Sequence, residues 1–158
     1  MIKFIIIFFF QIQSMFAFSL YCNFEEVYSN GETQQGILLM KKNNARYEYF
    51  DTNLFTIIYV NEKIFIVDNK DRSQVQLVEN NNLLNYIMEI YNDYPNISDS
   101  YTKRDFQIKV EKGSKNFIKR LMVQSTKLNM SIFFINCEST ILDNQLFNFN
   151  PFLEYVPN

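Results

Sequence analysis

The chain has 158 residues, 47% hydrophobic and 17% aromatic, with 15 Lys+Arg against 17 Asp+Glu and a net charge of -2. That length suits one domain, the composition excludes a disordered or collagen-like chain, and the charge balance offers nucleic acid no basic field. With 0 His, 2 Cys and 3 Gly, it lacks the means for His-based triads, four-cysteine zinc sites and glycine-rich phosphate loops, so no metal or cofactor is expected.

The first segment, MIKFIIIFFFQIQSMFAFS, carries Lys3, an apolar run from Phe4 to Phe10 and a more mixed stretch to Phe18. Ala17 and Ser19 are small residues two apart, the spacing a signal peptidase reads. Residues 1–19 are therefore expected to be a signal peptide, with one domain over residues 20–158. Gln11, Gln13 and Ser14 break the run before it reaches the ~20 apolar residues of a membrane span. Tyr21 precedes Cys22, where a lipid-attachment site needs a small residue, so Cys22 reads as an ordinary residue. In an oxidising compartment Cys22 and Cys137 could pair; two buried free thiols are the alternative.

Short strands follow, β-branched or aromatic and broken by polar turns. Strands are expected at residues 21–28, 34–42, 46–50, 55–60, 64–68 and 74–78. Ser29-Asn30-Gly31, Asn43-Asn44 and Asn61-Glu62-Lys63 supply the first turns. Leu83, Leu84, Ile87, Met88 and Tyr91 then fall on one helical face, and Pro95 ends any helix. Strands resume at 106–111, 116–124 and 130–137, and QLFNFNPFLEYV adds a last short strand and a tail. The expected fold is mainly β: an antiparallel meander of about ten strands with one definite helix. GILLM, FTIIYV and KIFIV are continuous apolar runs, whereas a sheet with one wet face would alternate. A closed core or a curved sheet around an apolar cavity would each account for them.

QQGILLMKKNNARYEYF resembles the second and third strands of the outer-membrane lipoprotein carrier (LolA) family. There a glycine opens a strand ending in a basic residue, followed by a turn and an Arg-aromatic-acid-aromatic strand; Gly36, Lys42, Asn43-Asn44 and Arg46-Tyr47-Glu48-Tyr49 take those positions. IIYVNEKIFIVDNKDRSQVQLV is similar to that family's next strands, and FNFNPFLEYV to its closing Phe-x-Phe-x-Pro step. The resemblance is to a short variant. It implies an unclosed half-barrel with one or two lid or plug helices over an apolar concavity. It implies a periplasmic carrier in a Gram-negative bacterium, taking acylated lipoprotein or lipid cargo from an inner-membrane ABC exporter to an outer-membrane acceptor.

The cavity candidates are Leu38, Met40, Tyr47, Tyr49, Ile57, Tyr59, Ile64 and Ile66, each pair on one face of its strand. Which face looks inward is open, because a one-residue slip swaps them. The helix of Leu83, Leu84, Ile87, Met88 and Tyr91 is the lid candidate, or else a permanent plug. Lys42 and Arg46 are the candidates for fastening the lid or meeting a partner. Glu25-Glu26, Asp68, Asp71 and Glu111 read as scattered surface charge. A non-enzymatic, monomeric carrier is expected. The alternative is a small exported β-domain that binds another protein and has no lipid cavity. A hydrolase is disfavoured by the missing nucleophile motif.

Overall fold

A computed structural model of the chain describes residues 19–78, 83–114 and 117–149. The expected signal peptide lies outside the described residues except for Ser19, which opens the first strand. Six strands come first: β1 (Ser19–Tyr28), β2 (Thr33–Lys41), β3 (Asn44–Tyr49), β4 (Phe55–Val60), β5 (Lys63–Asp68) and β6 (Val75–Val78). Helix α1 (Leu83–Asn92) follows, then β7 (Ser100–Lys103), β8 (Phe106–Lys112), β9 (Ile118–Gln124) and β10 (Asn129–Ser139). All ten strands join one antiparallel sheet in the order β6-β5-β4-β3-β2-β1-β10-β9-β8-β7. The sheet does not close: β6 and β7 are its two edges, which makes it a half-barrel with α1 over one face.

Turn chemistry explains most of this path. Gly31, at φ 86, allows the β1–β2 turn, and Asn61 and Glu62 both take positive φ (51 and 61) between β4 and β5. Each neighbouring pair of strands is also consecutive in sequence, except β1 with β10. The molecule is thus two meanders, β1 to β6 and β7 to β10, joined along one non-local seam. At that seam a register shift falls between Tyr21 and Asn23, and Asn136 takes φ 53 on the opposing strand. Cys22 and Cys137 are joined there by a disulfide, with Cα atoms 4.2 Å apart.

The apolar runs are explained by cover on both faces. Leu38 and Met40 of β2 face the concave side, with Leu20, Cys22, Phe24, Ala45, Tyr47 and α1. Ile37 and Leu39, between them in sequence, face the convex side with Tyr21, under Leu142 and Phe147. The segment after β10 crosses this back as a strap. Lys41 Nζ donates to the Leu142 carbonyl (2.5 Å) and Arg46 to the Leu146 carbonyl (3.1 Å).

The ending QLFNFNPFLEYV is expected to add a short strand; residues 150–156 of it lie outside the described residues, and its described part holds a 3-10 turn (Asn144–Phe147), started by Asp143 Oδ1 accepting from Gln145 N (2.9 Å). The strand β7 was missed, because SYTK has no apolar run to mark it.

Candidate ligand cavity

The site begins with alternation along β1. Phe24, Glu26 and Tyr28 are two apart and therefore share the concave face. Tyr47 and Tyr49 share it on β3, and Phe55 and Ile57 on β4. Gly36 lets these aromatics converge. A Cβ there would collide with the Glu48 carbonyl and would lie 2.5 Å from the Phe24 ring. With no side chain in the way, Phe24 lies over β2 and stacks on Tyr47, ring centroids 3.9 Å apart. Tyr49 then meets Phe24 (5.4 Å), Tyr47 (5.5 Å) and Phe55 (5.3 Å) edge-on, the geometry aromatic rings prefer.

Beside this cluster the interior is hollow. A cavity of about 270 Å³ separates the β1–β3–β4–β5 wall from the start of α1. Tyr47, Tyr49, Ile57 and Ile66 line the sheet side; Leu83, Leu84 and Ile87 form the helical side. Met130 and Ile132 of β10, with Leu128, close the far wall. Leu84, Ile87, Met130 and Ile132 are buried, while Tyr28, Tyr49, Ile57, Ile66, Leu83 and Leu128 are half-buried. A dry cavity of ~150 Å³ can hold benzene, so this one has room for roughly ten heavy atoms. The lining is almost wholly hydrocarbon and aromatic.

One group breaks that lining. Glu26 is 3% exposed, against the expectation of a surface charge. Its Oε2 accepts from the Tyr28 hydroxyl (2.5 Å) and its Oε1 from the Tyr47 hydroxyl (2.7 Å). The Tyr49 hydroxyl lies 3.1 Å from both oxygens. An unpaired buried carboxylate costs several kcal/mol, and these phenols supply the hydrogen bonds that offset it. Burial, then the nearby carboxylate, pushes the Tyr47 and Tyr49 phenols well above their ordinary range. Burial and the Glu26 hydrogen bond do the same to Tyr28. All three therefore remain protonated donors.

The structure brings together half of the expected cavity residues. Leu38 and Met40 are on the correct face but fully packed in the core; Met40 reaches a separate hollow of about 140 Å³ with Lys42, Asn43 and Tyr91. Tyr59 packs half-buried against the same core. Ile64 is buried one alternation from Ile66 on β5. Of the helix residues, Met88 and Tyr91 are buried beyond the cavity.

Lys42 is exposed at the β2–β3 turn. Arg46 is not at the helix: it is buried on the convex face, with Nη2 2.6 Å from Glu48 Oε2 and Nη1 on the strap. The reason is parity, since Arg46 alternates with Ala45 and Tyr47, which face inward. Glu26, Tyr28, Phe55, Leu128, Met130 and Ile132 were missed. For Glu26 the available signal was its two-residue spacing from Phe24 and Tyr28.

A larger hollow of about 340 Å³ lies against Gly113, Phe117 and Cys137, but its wall includes exposed Ser114, Lys119 and Asn136. Among the described residues no cluster of His, Cys, Asp or Glu could hold a metal ion, and no helix is long and apolar enough to cross a membrane. No protein-family model matches the chain, and no curated protein matches it.

Proposed function

We propose that the protein is a non-enzymatic carrier that shelters a hydrocarbon chain of a lipid or acylated lipoprotein inside the half-barrel. The observation that carries this reading is the cavity of about 270 Å³, partly open and lined by Ile57, Ile66, Leu84, Ile87 and Ile132. A filled interior would favour a protein-binding module instead. Burying one CH₂ stabilises by about 0.8 kcal/mol, so a ten-carbon segment gains on the order of 8 kcal/mol with no polar contact.

The helix suits a lid. Glu89 on α1 pairs with Lys103 (2.6 Å), Asp93 just past its end accepts from Tyr101 (2.8 Å), and Tyr86 packs on Phe106. These contacts tie the helix to the β7–β8 arm, while Leu83, Leu84 and Ile87 face the cavity near its other end. A chain could enter by lifting that end alone, and the apolar helix face would compete with cargo when the cavity empties. In this reading the protein works as a monomer in the periplasm of a Gram-negative bacterium. As in the LolA family it resembles, it would receive cargo from an inner-membrane ABC exporter and yield it to an outer-membrane acceptor. The disulfide Cys22–Cys137 accords with an oxidising compartment.

Native mass spectrometry of the protein purified from its own compartment tests the reading. A co-purified acylated molecule, and uptake of a neutral apolar fluorophore after its removal, are expected. A bare polypeptide mass with no fluorophore uptake would overturn it.

A further inference from the structure

The polar centre of the cavity has a one-sided inventory of hydrogen-bonding groups. A carboxylate offers about four lone-pair sites and no donor, and a phenol offers one donor. The hydroxyls of Tyr28, Tyr47 and Tyr49 all turn their single O–H toward Glu26. What remains toward the cavity is therefore lone pairs and one negative charge. Among the described residues no lysine or arginine pairs with Glu26. The charge lies in a wall whose other members are apolar, where screening by water is weak. Around it stand the rings of Tyr28, Tyr47, Tyr49 and Phe55, a surround that also attracts cations.

We propose that the Glu26–tyrosine cluster selects the polar end of the chain in the cavity, accepting a hydrogen-bond donor, an ammonium group most strongly, and rejecting a carboxylate. This rests on the cavity being a ligand site and adds which ligands it takes. An ammonium end brings three donors and the opposite charge to the free lone pairs. A hydroxyl end brings one donor and no charge. A carboxylate end brings neither, and it meets Glu26 as a like charge in a confined apolar space.

Competition against a neutral apolar fluorophore, at high salt to screen the acidic surface, separates these cases with three probes of equal chain length: decylamine, decanol and decanoate. In the wild-type protein decylamine should displace the fluorophore at a concentration at least about tenfold below decanoate, with decanol between them. Glu26→Gln should bring amine and carboxylate to within about twofold, leaving decanol nearly unchanged. Tyr28→Phe frees one lone pair of Glu26 and should widen the amine preference. Equal wild-type binding of amine and carboxylate, or a preference that survives Glu26→Gln, overturns the selection while decanol binding keeps the cavity reading intact. Failure of decanol and of the fluorophore to bind overturns both.

Discussion

At the scale of single residues, a carboxylate and a glycine organise the interior. Glu26 gives three buried or half-buried phenols a partner, and the consequence is an alkaline limit on the fold. In the unfolded chain a tyrosine ionises near pH ~10, whereas the folded chain holds Tyr47 and Tyr49 protonated well above that. The unfolded state then binds fewer protons than the native one, so stability is full below pH ~10 and falls as pH rises beyond it. Each of the two phenols should remove about 1.4 kcal/mol per pH unit. Tyrosinate absorbance and circular dichroism followed together should show these phenols ionising only as the sheet is lost; ionisation of every tyrosine near pH ~10 with the sheet intact would contradict it. Gly36 has the complementary role of leaving space. Gly36→Ala would force Phe24 off Tyr47 and press on the Glu48 carbonyl, which backbone cannot easily yield. A loss of about 3 kcal/mol or more in urea unfolding is expected.

At the scale of elements, the hairpins were readable and the faces were not. Turn residues such as Asn61-Glu62 and Ser29-Asn30-Gly31 act locally, so strand positions came through within a residue or two. Inward and outward faces depend on what covers the sheet, and here both sides are covered, by α1 and by the strap. In GILLM the pattern that normally separates core from solvent is therefore absent. That is why Leu38 reads as a cavity residue when it is core, and why Arg46 reads as a lid fastener or partner contact when it holds the strap. Glu26 was hidden because an acid next to another acid reads as surface; only the aromatic residues two positions either side distinguish it. The strap itself gives an element-scale test. Arg46 joins Glu48, also held by Arg72 (3.2 Å), to the Leu146 carbonyl. Arg46→Met should cost about 2–4 kcal/mol, because Glu48 and the carbonyl lose a buried partner. Limited proteolysis should then cut first within residues 140–149. Cleavage elsewhere with the strap intact would mean that the packing of Leu142 and Phe147 and the Lys41 hydrogen bond hold it without Arg46.

At the scale of the whole molecule, the seam between β1 and β10 decides whether two meanders become one sheet. Within each meander a strand finds its partner across a short turn or loop, so closure costs little. The seam pairs residues more than a hundred positions apart, and the cavity straddles it: Glu26 and Tyr28 stand on β1, Met130 and Ile132 on β10. The disulfide closes a separation of 115 residues at this point. In the chain-entropy account, a loop of that size stabilises the fold by about 4–5 kcal/mol, mainly by restricting the unfolded chain. Reduction, or the double variant Cys22→Ala with Cys137→Ala, should lower the urea midpoint accordingly. It should also steepen the denaturant dependence, since an uncrosslinked chain exposes more surface on unfolding. Refolding should slow as well, because the seam must then form by a long-range encounter. The hairpins would still form locally, so the deficit should appear in the β1–β10 amides by hydrogen exchange before the outer strands β4 to β6. A loss below about 1 kcal/mol, with unchanged exchange along the seam, would mean that β1 and β10 stay close even in the unfolded chain and that the concave wall does not depend on the covalent clip.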